Sequence, residues 1–245
     1  MTVVTRQYRA FPLREREILR YAGCRTEEEE VVRLMQTCLQ EAKEADVLNG
    51  QLCYTELPFT VRTSSDGSRA DTESGFAGNG TICDFGSFSV HSEQLAKNLQ
   101  GCSKVLLMAA TAGVGIDRLI TKYGRLAPSK ALMFQAIGAE LVEAVCDGFS
   151  KEYEAEHHCV LRPRFSPGYG DLPLESQKDI FAVLECAKRI GLTLNDSLLM
   201  SPSKSVTAFA GITWDEPECT VNAGKNEVQS KCRICEKQDC VYRGG

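Results

Sequence analysis

The most informative segment of the sequence begins with the loop Arg164-Phe165-Ser166-Pro167-Gly168-Tyr169-Gly170-Asp171 and ends with Met200-Ser-Pro202-Ser-Lys-Ser205-Val206. In the first loop, Arg164 presents a planar guanidinium suited to a carboxylate or phosphate. Pro167 fixes its own φ, and Gly168 lacks the side chain that would keep a ligand from the backbone. Tyr169 adds a flat aromatic wall with a hydroxyl at its tip. The loop suits a small zwitterionic or adenine-bearing ligand, although Ser-Pro-Gly is also ordinary turn chemistry.

The order of these pieces resembles the activation domain of cobalamin-dependent methionine synthase, which binds S-adenosylmethionine. In that family an Arg-x-x-Pro-Gly-Tyr loop, a helix and a Met-x-Pro-x-x-Ser-Val segment follow one another, as they do here between positions 164 and 206. The resemblance is specific from about Val105 to Ile212 and is strongest to the small stand-alone members of the family.

The resemblance implies which residues would bind S-adenosylmethionine. The family's loop arginine holds the ligand's carboxylate, and this role falls on Arg164. The backbone at Ser166 and Gly168 and the ring of Tyr169 would line the rest of the site. A helix upstream supplies a carboxylate to the ligand's amino group, and the match of Leu141-Val-Glu143-Ala144 gives this role to Glu143.

Glu143 also has a purely structural interpretation, since a charge that flanks an apolar helix stripe is commonly a solvated one. Two family features have no counterpart here. One is an acidic residue near the domain's start. The other is the aromatic residue that follows the Ser-Val strand, where Cys219 and its neighbours stand.

The resemblance further implies a function in reductive reactivation. The protein would act in trans on a cobalamin-binding methionine synthase or another corrinoid protein, with S-adenosylmethionine as methyl donor to cob(I)alamin and a flavodoxin or ferredoxin as electron donor. Whether the chain is itself an enzyme, as the activation subunit of a methyltransferase, stays open. Two alternatives remain: an activator of a corrinoid system outside methionine synthesis, and a metal or iron-sulfur redox scaffold.

The scaffold alternative depends on the C-terminal tail. Cys232, Cys235 and Cys240 follow the spacing Cys-x2-Cys-x4-Cys. With Cys219 or Cys159 as a fourth ligand, these thiols could hold tetrahedral zinc or an iron-sulfur cluster. The same three thiols could equally be unliganded or form a regulatory disulfide.

Composition and charge argue against several other classes of protein. The chain has 245 residues, of which 43% are hydrophobic, which is ample for a sizeable core. A net charge of -5 without a basic stripe argues against a nucleic-acid partner. Residues 1–10 lack the apolar core of a signal peptide, and no apolar run reaches the ~18 residues that a membrane helix needs. Without an export signal, twelve cysteines indicate reduced thiols in a reducing, anaerobic cytoplasm.

The hydrophobic pattern predicts an α+β fold with a mixed or antiparallel central sheet and flanking helices, because helices and strands alternate without a steady βαβ rhythm. We expect a helical segment at 1–50, the activation-domain-like core at 51–215 and a cysteine-rich tail at 216–245. Within the core the predicted elements are strands at 52–61, 81–90, 104–110, 159–162 and 205–213 and helices at 92–99, 115–123, 128–153 and 174–190.

Two helices carry further detail. Thr26 and Glu29 form a capping box that opens a helix to about Asp46. The long helix begins with Pro128 at its first position. Its buried stripe is predicted to consist of Leu132, Ile137, Leu141, Ala144 and Val145, with the strand at 104–110 as the centre of the sheet.

Overall fold

The structure, a computed structural model, describes residues 1–9, 11–24, 28–63 and 80–214, with Thr63 described without its side chain. The helices are α1 (Glu15–Tyr21), α2 (Glu29–Glu44), α3 (Glu93–Asn98), α4 (Val114–Leu126), α5 (Pro128–His157), α6 (Gln177–Leu184) and α7 (Cys186–Ile190). The strands are β1 (Val4–Arg9), β2 (Asn49–Pro58), β3 (Thr60–Thr63), β4 (Thr81–Asp84), β5 (Ser89–His91), β6 (Lys104–Thr111), β7 (Val160–Leu161), β8 (Thr193–Leu194), β9 (Met200–Ser201) and β10 (Ser205–Thr213).

The main sheet has five strands in the order β1-β2-β6-β10-β7, and every neighbouring pair is antiparallel. The predicted α+β class is confirmed, as is the central place of the strand that begins at Lys104. A small three-stranded sheet, β3-β4-β5, and the β8–β9 pair complete the strands among the described residues.

The central strand is buried on both faces. Val105, Leu107 and Ala109 face a core shared with α3, α6 and α7, while Leu106 and Met108 face α5. Successive side chains of a strand point to opposite faces, so an unbroken apolar run predicts a strand covered on both sides. This double cover fixes where α5 lies.

Helix α5 packs against the sheet on one side and against α1, α2 and α4 on the other. Pro128 stands at its N-terminus as predicted, and the helix ends where His158 adopts a left-handed φ of 50°. Of the predicted stripe, the four members from Ile137 to Val145 are buried. The prediction that Leu132 is buried is wrong, since this residue is 54% exposed. It lies on the same helix face as Gln135 and Glu143, the outward face at a spacing of three to four residues.

A cluster around Glu41 joins α2 to α4 and α5. Its carboxylate accepts hydrogen bonds from the Tyr123 hydroxyl at 2.6 Å, from Lys122 at 3.1 Å and from Lys130 at 3.3 Å. Tyr123 in turn stacks on Phe134 in the core. These contacts hold the outer helices on α5.

Several local predictions need correction. The strand expected at 81–90 is two strands, β4 and β5, separated by a bend with Gly86 at a φ of 80°. The helix expected at 174–190 is a 3₁₀ turn followed by α6 and α7, which are separated by Glu185 at a φ of 50°. Strand β1 was not anticipated, because its polar residues mask a weak alternation in which Val4, Arg6 and Tyr8 are the more buried positions.

The division into 1–50, 51–215 and 216–245 remains a prediction. Thr26, the expected capping residue, lies outside the described residues, and α2 begins at Glu29. Within the part of the chain that is described, no helix is both long enough and apolar enough to span a bilayer.

The Glu41 cluster predicts a pH-dependent contribution to stability. The hydrogen bond from Tyr123, followed by those from the two lysines, lowers the pKa of Glu41 below its ordinary 4.5. A lowered folded-state pKa stabilises the fold above the unfolded pKa and loses this effect as the pH falls through the folded value. Glu41→Gln should therefore lower the free energy of unfolding by about 1 kcal/mol at pH 7. The difference from wild type should shrink below about pH 4.5.

Urea unfolding at pH 7 and at lower pH measures this difference. Glu44→Gln, which changes an exposed carboxylate three positions further along α2, is the matched control and should have little effect. An effect of Glu41→Gln that does not vary with pH would contradict the assigned role.

Candidate functional site

The loop after β7 is tied to the edge of the main sheet. Phe165 and Phe209 of β10 exchange two backbone hydrogen bonds, both 2.8 Å long. Phe165 is buried in the core on the side of α6 and α7. Because neighbouring side chains in extended backbone point to opposite faces, Arg164 is directed to the other side, where α5 lies.

The loop then makes a tight turn. The Tyr169 amide donates to the Ser166 carbonyl at 3.1 Å across Pro167 and Gly168, and Gly168 has a φ of 82°. Proline followed by a residue of positive φ is the signature of a type II turn. The Gly168 amide also donates to the Leu172 carbonyl at 2.9 Å, so the turn is held by its own backbone.

Asp171 fastens the far end of the loop to the start of α3. Its carboxylate accepts from the backbone amides of Glu93 at 2.7 Å and Gln94 at 3.3 Å and pairs closely with the Ser92 hydroxyl. Ser92 also caps α3 by accepting from the Leu95 amide at 2.9 Å. The loop is thus anchored at both ends, to β10 and to α3.

The outer surface of the turn is open to solvent. Gly168 is exposed, and Tyr169 is 42% exposed with its ring edge-on to Phe165 at 5.3 Å. A ligand can therefore approach the backbone of the turn and the face of the tyrosine without displacing a core side chain.

The guanidinium of Arg164 contacts two carboxylates of α5. Its Nη2 lies 2.7 Å from Glu143 Oε2 and 2.7 Å from Asp147 Oδ1, and its side chain is only 14% exposed. Burial alone would lower the pKa of Arg164, but Cys146, Glu143 and Asp147 raise it above its ordinary value. The arginine therefore carries a fixed positive charge.

The structure brings together the two residues that were predicted to hold opposite ends of an amino-acid group, Arg164 and Glu143. It places Ser166, Gly168 and Tyr169 on one turn of the same loop. An adjacent cation and anion can receive the carboxylate and the ammonium of one zwitterion. Such an arrangement can bind and orient a ligand, for which no acid-base pair is needed.

Three residues of the site were not anticipated. Asp147 follows Glu143 by four positions on the same helix face, which is a signal that the sequence does carry. Asp171 was quoted as part of the loop without a role. Arg14, the residue before α1, contacts Glu140 and Asp147 and had no local signal.

An open cavity of about 550 Å³ lies elsewhere, between α3 and the small sheet, and none of the predicted site residues lines it. It is lined by Phe59, Thr60, Val61, Thr81, Glu93, Ala96, Lys97, Leu99, Gln100, Gly101 and Cys102. The loop site is the better candidate, because charged groups and exposed backbone converge there.

Among the residues that the structure describes, no group of three or more histidine, cysteine or carboxylate side chains could hold an ion, and the cysteines are free thiols. Cys159, one suggested fourth ligand, is buried. Cys219, Cys232, Cys235 and Cys240 lie outside the described residues, so the predicted tail site remains a prediction.

Comparisons with known proteins agree with this picture. Residues 92–221, just over half of the chain, match the family described as vitamin B12 dependent methionine synthase, activation domain. The fold is similar to the crystal structure of the MetH reactivation domain bound to AdoHcy, with a TM-score of 0.57 and 15% identity over 89% of this chain and 80% of that one. No curated protein matches the sequence.

The turn predicts a specific sensitivity at Gly168. Gly168→Ala should lower the free energy of unfolding by about 1 kcal/mol, because alanine is strained at positive φ. Gly168→Asn should be milder, since asparagine tolerates this region better. Gly191→Ala, at a φ of 63° with no neighbour within 4 Å of the added carbon, is a control for the strain alone. Urea unfolding measures all three variants, and Gly168→Ala protein as stable as wild type would contradict the positive φ of the type II turn.

Proposed function

Because the chain belongs to the family of vitamin B12 dependent methionine synthase activation domains, we propose that it binds S-adenosylmethionine at the Arg164 loop and presents its methyl group to cob(I)alamin of a corrinoid protein. The observation that carries the proposal is the direct contact between Arg164 and Glu143 beside a turn on which Gly168 and Tyr169 are exposed. The fold neighbour's AdoHcy is the demethylated form of the proposed ligand.

The charge arrangement suits the amino-acid end of this ligand. Arg164 makes both of its ion pairs through Nη2. A guanidinium carries five N–H donors in a planar fork, and in this proposal Nη1 and Nε would donate to the ligand's carboxylate. Glu143, whose side chain is 34% exposed, would turn from Arg164 to the ligand's ammonium. One internal ion pair is thereby exchanged for two with the ligand.

The turn would hold the nucleoside end. The Ser166 carbonyl and the Gly168 amide are used within the turn, so the Ser166 amide and the Gly168 carbonyl would be the backbone groups that face the ligand. The exposed ring of Tyr169 would add a flat surface. The nucleoside end would thus rest on the anchored loop, and the amino-acid end would lie between Arg164 of that loop and Glu143 of α5. Together these contacts would fix the direction in which the sulfonium methyl points.

The reaction needs positioning more than side-chain chemistry. A reductant supplies one electron to cob(II)alamin and forms cob(I)alamin, whose electron pair attacks the sulfonium methyl. The carbon–sulfur bond breaks, AdoHcy leaves, and the methyl group is carried by cobalt. No proton moves, so no general acid or base is required. The chain's own contribution is to hold the donor in line with the acceptor.

The partners belong to the proposal. We infer a separate corrinoid protein, either a methionine synthase or a component of another methyl-transfer system, and a flavodoxin or ferredoxin as donor of the electron. The S-adenosylmethionine site would be the same in both systems, so it cannot distinguish them. The assay distinguishes them when different corrinoid proteins are supplied as the methyl acceptor.

The test is a reaction that contains the protein, a cob(II)alamin-loaded corrinoid protein, a low-potential reductant and S-adenosylmethionine. Methylcobalamin, followed by its visible absorption, should form only when all four are present. Arg164→Lys keeps the charge but loses the planar fork, and should lower the rate at subsaturating S-adenosylmethionine about tenfold.

The matched control is Arg189→Lys. Arg189 is also ion-paired and partly buried, but it lies on α7 near the β1 edge, where it contacts Glu185 and the Val3 carbonyl. It should react like wild type. Methylcobalamin formation that is as fast without the protein, or equal loss in both variants, would refute the proposal.

We also propose that the tail cysteines hold zinc or an iron-sulfur cluster, on the strength of their spacing alone. Protein purified without oxygen should contain stoichiometric metal, and a cluster would add visible absorption. Both should disappear when Cys232, Cys235 and Cys240 are changed to serine, whereas Cys24→Ser, at a half-buried free thiol, should have no effect. Metal-free wild-type protein would leave the tail without this role.

A further inference from the structure

A chain of ion pairs runs from the start of α1 to the loop site. Along it two arginines, Arg14 and Arg164, alternate with three carboxylates of α5, Glu140, Glu143 and Asp147. Residues three, four and seven apart lie on one side of a helix, so these carboxylates form a single row. The row connects the N-terminal part of the chain, outside the matched residues 92–221, to the candidate site.

The inner end of the row is fixed by burial. The Glu140 side chain is fully buried and accepts from Arg14 three times, from the backbone amide at 3.1 Å, from Nε at 2.8 Å and from Nη2 at 3.3 Å. A buried carboxylate is strongly unfavourable unless it is paired and hydrogen-bonded. Arg14 is therefore held in one place by Glu140. Its backbone is fixed as well, because Arg14 is the N-cap residue of α1.

Asp147 transmits this constraint to the loop. Its Oδ2 lies 3.3 Å from Arg14 Nη2, and its Oδ1 lies 2.7 Å from Arg164 Nη2. Each oxygen thus serves a different arginine. Asp147 sits between a cation that is fixed by Glu140 and the cation of the loop.

We propose that Arg14, acting through Asp147, is a positioning residue that keeps the Arg164 guanidinium in place when Glu143 leaves it for a ligand. The inference rests on the proposed function, because it concerns the same site. Without Asp147, Arg164 would have neither of its two carboxylate partners once Glu143 turns to the ligand's ammonium. With Asp147 held by Arg14, the guanidinium keeps one anchor and presents its remaining donors to a carboxylate. The row thereby favours ligands that carry an α-amino-acid group.

Two variants test this role without leaving a buried charge unpaired. Asp147→Asn removes the bridging charge and leaves the Arg14–Glu140 pair intact. The double variant Arg14→Gln with Glu140→Gln removes the buried pair as a unit, so that it keeps the fold where Arg14→Gln alone could fail. Arg33→Gln, in an exposed ion pair on α2, is the control.

The measurement is calorimetric titration with AdoHcy and with 5′-methylthioadenosine, which has the same nucleoside thioether but no amino-acid group. Asp147→Asn and the double variant should bind AdoHcy about tenfold more weakly than wild type. Their affinity for 5′-methylthioadenosine, and the affinity of Arg33→Gln for both ligands, should be unchanged. A purely structural role would weaken both ligands alike or neither.

The possible failures are distinguishable. Arg14 has no positioning role if wild-type protein binds AdoHcy and both site variants bind it equally well. The same conclusion follows if both variants lose affinity for AdoHcy and for 5′-methylthioadenosine to the same extent. In either case the proposed function stands. If wild-type protein does not bind AdoHcy at all, the proposed function fails as well.

Discussion

The two ion pairs of Arg164 with Glu143 and Asp147 are the contacts on which the site depends. They join a loop at the edge of the sheet to the helix that covers the sheet. The helix is placed there because β6 is apolar on both faces and needs cover on each. The geometry of the site thus follows from the core, since the same helix buries one side against the sheet and carries the carboxylates on another.

The main elements of the fold could be predicted because their signals are local. The run from Lys104 is continuously apolar, and Pro128 marks the start of α5. Strand β1 could not be predicted in the same way, because an edge strand with one polar face carries little hydrophobic contrast. Leu132 shows a related limit. Helical periodicity alone can assign an apolar residue near the end of a helix to the buried stripe, but packing decides which face of the helix is buried.

Within the site, the loop residues and Glu143 were indicated by resemblance to a family, and the structure places Arg164 and Glu143 in contact. The pairing of Arg14 with Glu140 joins residues 126 positions apart and has no sequence signature. It depends on the tertiary contact between α1 and α5. Only a structure could show that the N-terminal part of the chain reaches the site.

The most direct test of the central claim is a crystal structure of the protein with AdoHcy. The ligand's carboxylate should lie within hydrogen-bonding distance of the Arg164 guanidinium and its ammonium on Glu143, while Asp147 still bridges Arg14 and Arg164. AdoHcy bound elsewhere, for example in the cavity beside α3, with Arg164 keeping both Glu143 and Asp147 as its partners, would rule out this binding mode.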